Sequence, residues 1–239
     1  PYTTLFRSAR EVTVPLAFSK CESEHRYKNF DMAAYTLQHP NHPGLDTKEW
    51  DVSKFMGFSF DDTDVYKTIE GASYILQTYP DKKLKAYIDS VLDVVGAAQE
   101  PDGYLYTART INPKHPHGWS GNKRWVKDED LSHELYNLGH MVDAACAHYQ
   151  ATGSTKFLNI AKRYADCVVK EVGPNPGQTT IVPGHQIAEM ALARLYTLTG
   201  EKKYLDEAKY LLDYRGKTHI RNPYSQSQAP ILEQKEAVD

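Results

Sequence analysis

The sequence predicts an all-α fold of paired helices, and three observations carry that expectation. Residues 131–153 are apolar on nearly every helical face: Leu131, Leu135, Leu138, Val142 and Tyr149 recur at helical spacing, and Met141 with the run Ala144 to Ala147 widens the stripe. Such a segment must be buried. The next segment, 156–170, is one-sided, with Phe157, Leu158, Ile160, Ala161, Tyr164, Ala165 and Val168 opposite Lys156, Lys162, Arg163 and Asp166. The third observation is repetition. Residues 183–213 match this pair at an offset of 47, taking Tyr149 to Tyr196, Gly153 to Gly200, Leu158 to Leu205, Ala161 to Ala208 and Asp166 to Asp213. A looser copy, 64–77 followed by 81–99, lies upstream. Three inner/outer hairpins make an array in which each inner helix needs its neighbours for burial.

In chain order, residues 1–8, PYTTLFRS, read like the translation of a short-read sequencing adapter, which would make this octapeptide foreign to the rest. Arg10–Leu16 reads as extended and Phe18–Gln38 as one helix, ended by the turn chemistry of residues 39–44. Thr63 or Asp62 suits the N-cap of the helix that opens at Asp64. Residues 99–130 form a long insertion, too aromatic for disorder, read as a loop over a cleft with a short hairpin at Tyr104–Thr107. Gly153 and Gly200 stop their helices, because glycine takes the left-handed C′ conformation without a Cβ clash. Residues 222–230 are a polar loop, and Glu233–Asp239 looks like the first turn of another buried helix. On that ground residues 9–239 read as the N-terminal part of a larger domain.

Composition narrows the function classes. At 239 residues, 41% hydrophobic and 25% charged, the chain has an ordinary globular composition. A net charge of −3, with basic residues spread rather than striped, gives no footprint for nucleic acid. No apolar run approaches the ~18 residues of a membrane span. Cys21, Cys146 and Cys167 are too scattered for a disulfide scaffold or a CxxC zinc site and read as small buried hydrophobes. The 17 tyrosines and 10 histidines suit a sugar-binding cleft, although tyrosine also packs between helices.

No metal site emerges from the spacings. His133 and His140 lie two turns apart on one helical face, ~10.5 Å along the axis, too far to share an ion. His115 and His117 have no cysteine or carboxylate at ligand spacing. His133 and His185 differ from these, since each is expected in the first turns of an inner helix at one common end of the array. The positive end of the helix dipole there disfavours an imidazolium, leaving a neutral ring that donates and accepts, as sugar hydroxyls require. A capping or core histidine would satisfy the same spacing. Asp62, Asp64, Glu70, Glu134 and Glu189 also fall on inner helices or their leads, where a glycosidase could find its two carboxyl groups. Spacing does not pair them, and helix capping accounts for Asp62 and Asp64 equally well.

Several stretches together resemble one family. REVTVP (10–15), Cys21-Glu22 and Asn29-Phe30, DTDVYKTIEGASY (62–74), DGYLYT (102–107), SHELYNLGH (132–140), HYQATG (148–153), PGHQ (183–186) and LEQKEAV (232–238) resemble, in order, the β-L-arabinofuranosidase family of glycoside hydrolases, family 127. The resemblance implies an (α/α)6 toroid, present here as an incomplete half-barrel of helical hairpins, with inner-helix ends lining a sugar funnel. It also implies a retaining hydrolase that releases terminal β-L-arabinofuranose from plant-type glycans, using a zinc-held cysteine thiolate as nucleophile and a glutamate as acid/base. Those motifs fall downstream of Asp239, and Cys21, Cys146 and Cys167 do not match them. Carried over residue by residue, only the substrate-contacting His133 and His185 remain. The resemblance therefore implies zinc in a longer parent but none bound by this chain, no catalytic residue within it, and no turnover by it alone. Two other readings fit the helical array: an (α/α)6 unsaturated glucuronyl hydrolase or sugar epimerase, and a non-catalytic helical-repeat interaction protein.

Overall fold

The structure, a computed structural model, describes residues 2–41 and 57–215, and among these it is helical with no strand. The three hairpins are α4 (Asp62–Thr78) with α5 (Lys82–Ala97), α7 (Glu134–Thr152) with α8 (Lys156–Glu171), and α9 (Ala188–Thr199) with α10 (Lys202–Tyr214). Helices α4, α7 and α9 lie side by side as an inner layer, with α5, α8 and α10 against them outside. The apolar all-round helix sits in the middle: Leu135, Leu138, Met141, Val142, Ala144, Ala145 and Cys146 of α7 are all fully buried. Small residues let the layers approach closely. A Cβ on Gly139 of α7 would come 2.6 Å from Ile187 Cγ2 and 2.8 Å from the backbone nitrogen of Ala188, so α9 can start only where α7 carries glycine.

The preceding chain departs from expectation twice. Arg10–Leu16 is helical rather than extended: α1 (Tyr2–Ser8) runs through a π-helical Ala9–Thr13 into α2 (Val14–Ser23). Val12, Thr13 and Val14 favour a strand by propensity, yet Val14, Phe18 and Cys21 are buried on one face at helical spacing, and packing decides. Phe18–Gln38 is two helices, broken at His25, whose φ of 61° is left-handed, before α3 (Arg26–Gln38). The break turns α3 against α4 and α5 and brings Arg26 to Asp61 and Asp64, at 2.9 and 2.8 Å. No glycine or proline marks it. In α1, Leu5 and Phe6 are exposed. Residues 222–230 and 233–239 lie outside the described residues.

The insertion between α5 and α7 also differs from the expected loop over a cleft. Tyr104, Leu105, Tyr106 and Trp125 are buried in the core, and no hairpin forms at Tyr104–Thr107. Instead a short α6 (Thr107–Thr110) begins there, because the Asp62 carboxylate accepts from the backbone N–H and hydroxyl of Thr107 at 2.9 and 2.6 Å. Asp62 thus caps a neighbour rather than its own helix, and Thr63 donates its hydroxyl back to Phe60 O.

Candidate functional site

The N-terminal ends of the inner helices meet at one end of the array, and the chain there is fixed by buried carboxylates. Glu134, the first residue of α7, is fully buried and accepts from the Tyr104 hydroxyl at 2.5 Å, the Ser132 hydroxyl at 2.9 Å and the Trp125 N–H at 2.9 Å. Burial pushes its carboxyl up to about 7. Asp128, raised chiefly by burial and then by the Glu134 charge, accepts from Leu135 N–H at 2.9 Å. The same loop holds the non-helical lead into α9: Asp128 O accepts from Gly184 N–H at 3.2 Å and Glu129 Oε1 from Val182 N–H at 3.2 Å. A Cβ on Gly184 would stand 2.9 Å from Asp128 O and 3.2 Å from Glu129 O, so only glycine allows this approach.

This scaffold places the two histidines. Neither sits within the first turn of a helix, as expected from sequence. His133 is the residue before α7, held left-handed at φ 63°, and His185 stands in the turn before α9 begins at Ala188. Their ring centroids are nevertheless 5.0 Å apart. His133 Nδ1 lies 2.5 Å from Leu131 O; a carbonyl only accepts, so Nδ1 carries the proton and Nε2 keeps its lone pair. Burial depresses the ring's basicity, with His185 and Lys67 adding to the effect, and the imidazole stays neutral.

Three residues that sequence reasoning passed over complete the cluster. Tyr136 lies edge-on to His133, His185 and His140, at 5.6, 5.6 and 4.5 Å between centroids. Lys67 of α4 donates to the Tyr136 hydroxyl at 2.7 Å and to Thr63 Oγ1 at 3.1 Å. Burial, reinforced by Lys67, brings His140 down to about 4. Phe60 packs its ring 5.1 Å from His133. The i, i+3, i+7 spacing of His133, Tyr136 and His140 was a readable signal for Tyr136; Phe60, in the turn before α4, and Lys67 of α4 come from far along the chain and had none.

The other carboxylates are occupied elsewhere. Glu189 pairs with buried Arg215 at 2.6 Å, Asp64 with Arg26, and Glu70 accepts from Tyr74 at 3.0 Å. Asp62 and Glu134, the remaining two candidates, are taken up by Thr107 and by Tyr104, Ser132 and Trp125.

Zinc fits the described residues poorly. Cys21 and Cys146 belong to no cluster of three ligating side chains among the described residues. Asp102, Cys167 and Glu171 could group around an ion, but the Arg124 guanidinium already fills that space, 2.6 Å from Asp102 and 3.1 Å from Glu171. No described helix is long and apolar enough to cross a membrane.

Comparison with known proteins agrees with this architecture. The family described as "Beta-L-arabinofuranosidase, GH127 catalytic domain" matches residues 1–239. A non-reducing end β-L-arabinofuranosidase of Bifidobacterium longum subsp. longum is 42% identical over 163 residues, 68% of this chain and 24% of that protein. A solved GH127 β-arabinofuranosidase superposes with a TM-score of 0.86 at 63% identity, covering 95% of this chain and 34% of its own. A GH127 β-L-arabinofuranosidase from Geobacillus stearothermophilus T6 gives 0.78 at 33% identity, covering 99% and 34%. The chain thus spans about a quarter of the curated relative and about a third of the solved ones.

Proposed function

The chain belongs to the GH127 β-L-arabinofuranosidase family, and we propose that it forms the substrate-positioning wall of a retaining glycoside hydrolase that releases terminal β-L-arabinofuranose. The observation that carries this reading is the pair of imidazoles 5.0 Å apart at the shared end of the inner helices, one with its tautomer fixed by Leu131 O. A neutral His133 offers Nε2 as acceptor to a ring hydroxyl, and His185 beside it a second polar contact. Histidines and aromatics gathered at one end of the inner layer support a sugar site over a non-catalytic interaction surface. Because the described residues fit zinc poorly, we assign them no bond-breaking step. We infer that the zinc-held thiolate and the acid/base glutamate implied by the family resemblance belong to the part of the longer relatives this chain does not span.

The test has two parts. The 239-residue chain alone is expected to turn over no aryl β-L-arabinofuranoside, with or without added zinc, since nucleophile and acid/base act as a unit. In a protein of the relatives' full length, His133→Ala and His185→Ala are each expected to cut kcat/KM roughly ten- to a thousandfold with folding intact. A lowered Tm with unchanged kcat/KM would return both residues to packing.

A further inference from the structure

Beyond the histidine pair, three aromatic rings continue outward from it. Phe60, 5.1 Å from His133, stacks on Phe58 with centroids 5.2 Å apart and planes 5° from parallel. Trp119 closes the group at 5.6 Å from Phe58 and 6.5 Å from Phe60. Phe58 is 51% exposed, and Phe60 and Trp119 are half-buried, so the group keeps an open face. Its backbone is built rather than loose. Phe58 N–H donates to Asp61 Oδ2 at 2.8 Å, and Arg26 pins that carboxylate at 2.9 Å. Gly57, at φ 116°, leaves room for it: a Cβ there would lie 1.7 Å from Asp61 Oδ2. On the other side, Ser120 N–H and Oγ both donate to His117 O, at 2.8 and 2.7 Å, and His117 N–H donates to Ala108 O at 2.9 Å.

We propose that Phe58, Phe60 and Trp119 form a stacking subsite for the second sugar ring of the glycan, the one next to the terminal residue held by His133 and His185. The inference rests on the substrate-positioning reading above and extends it to the leaving-group side. A sugar presents polar edges and an apolar C–H face. Histidines suit the edges, and a fixed, open aromatic surface suits the face, at little ordering cost because the rings are already held. Contiguity selects the occupant: the platform starts at the ring touching His133 and leads away from it, so a chain entering the pair passes over Phe58 and Trp119.

Two ligands separate the parts. Methyl β-L-arabinofuranoside carries one ring, and a β-L-arabinofuranosyl disaccharide carries two. Calorimetric titration of the 239-residue chain is expected to give about tenfold tighter binding of the disaccharide. Phe58→Ala and Trp119→Ala should abolish that advantage, Phe58→Leu should lose it by removing the π face, and Phe58→Tyr should keep it. Equal affinity of the unaltered chain for the two ligands, or equal weakening of both by Phe58→Ala, would overturn the subsite. Insensitivity of the methyl glycoside to His133→Ala would instead sink the histidine reading, since the disaccharide advantage is read on the aromatic variants. Absence of binding by either ligand overturns both.

Discussion

Hairpins α7–α8 and α9–α10 turn through the same hydrogen bonds. Gly153 and Gly200 sit left-handed at φ 69° and 74°, and their N–H groups donate to Tyr149 O and Tyr196 O at 2.8 and 2.7 Å. Thr152 and Thr199 donate their hydroxyls to His148 O and Leu195 O, and accept from the N–H of Ser154 and Glu201. At the opposite end the two copies part company. The counterpart of Glu134, one 47-residue period on, is Ile181, yet α9 begins only at Ala188, so about two turns of the second copy stay unwound. That unwound lead carries His185, and the Asp128 carbonyl and Glu129 carboxylate, in the insertion just before α7, hold it. The difference teaches that the turn end is repeated because it is local chemistry, whereas the helix-start end differs between the copies and brings His133 and His185 together.

The largest test of this contrast is Glu134→Ala. It leaves the buried donors of Tyr104, Ser132 and Trp125 without their acceptor and is expected to cost about 3–5 kcal/mol in urea unfolding. A loss below 1 kcal/mol would mean that the carboxylate network does not hold the helix-start end.

Next comes a position where the outer helices disagree. Glu207 of α10 occupies the slot of Ile160 in α8, is buried, and is pushed up to about 8 by desolvation alone. Its folded pKa lies above the ordinary value of 4.5, so the folded state holds a proton that the unfolded state has released between those values. Its contribution to stability is therefore present below pH 4.5 and is lost as pH rises toward 8. Glu207→Ile restores the repeat and is expected to gain about 2 kcal/mol at pH 9 but little at pH 4. A pH-independent difference between variant and wild type would contradict the assignment.

Gly184→Ala should cost about 1–2 kcal/mol and displace the lead that carries His185, weakening arabinofuranoside binding about tenfold. The smallest effects belong to the turns. Gly153→Ala and Gly200→Ala face open space but keep a positive φ, so each should cost about 1 kcal/mol and leave sugar affinity alone. Unequal costs would break the equivalence of the two turns, and any change in affinity would break the separation of the two ends.

What the sequence determined by itself follows from local chemistry. The burial of 134–148 on nearly every face, the one-sided pattern of 156–171, the stops at Gly153 and Gly200 and the 47-residue period all act within a few residues of chain, where side-chain spacing and backbone freedom suffice. The motifs around His133 and His185 likewise marked two residues that the fold brings together. Tertiary structure decided what depends on partners far along the chain. His133 and His25 are left-handed without a glycine to announce it, and the lead into α9 stays unwound because Asp128 and Glu129 take its N–H groups. Asp62 caps a helix 45 residues away, and Tyr104 and Tyr106 fill the core rather than a hairpin because their hydroxyls reach Glu134 and Ser132 O. A carboxylate or a tyrosine reads the same in sequence whether it faces solvent, a sugar or a buried donor. Only packing removes the water that would otherwise satisfy it, and with the water gone the nearest donor or acceptor fixes its role.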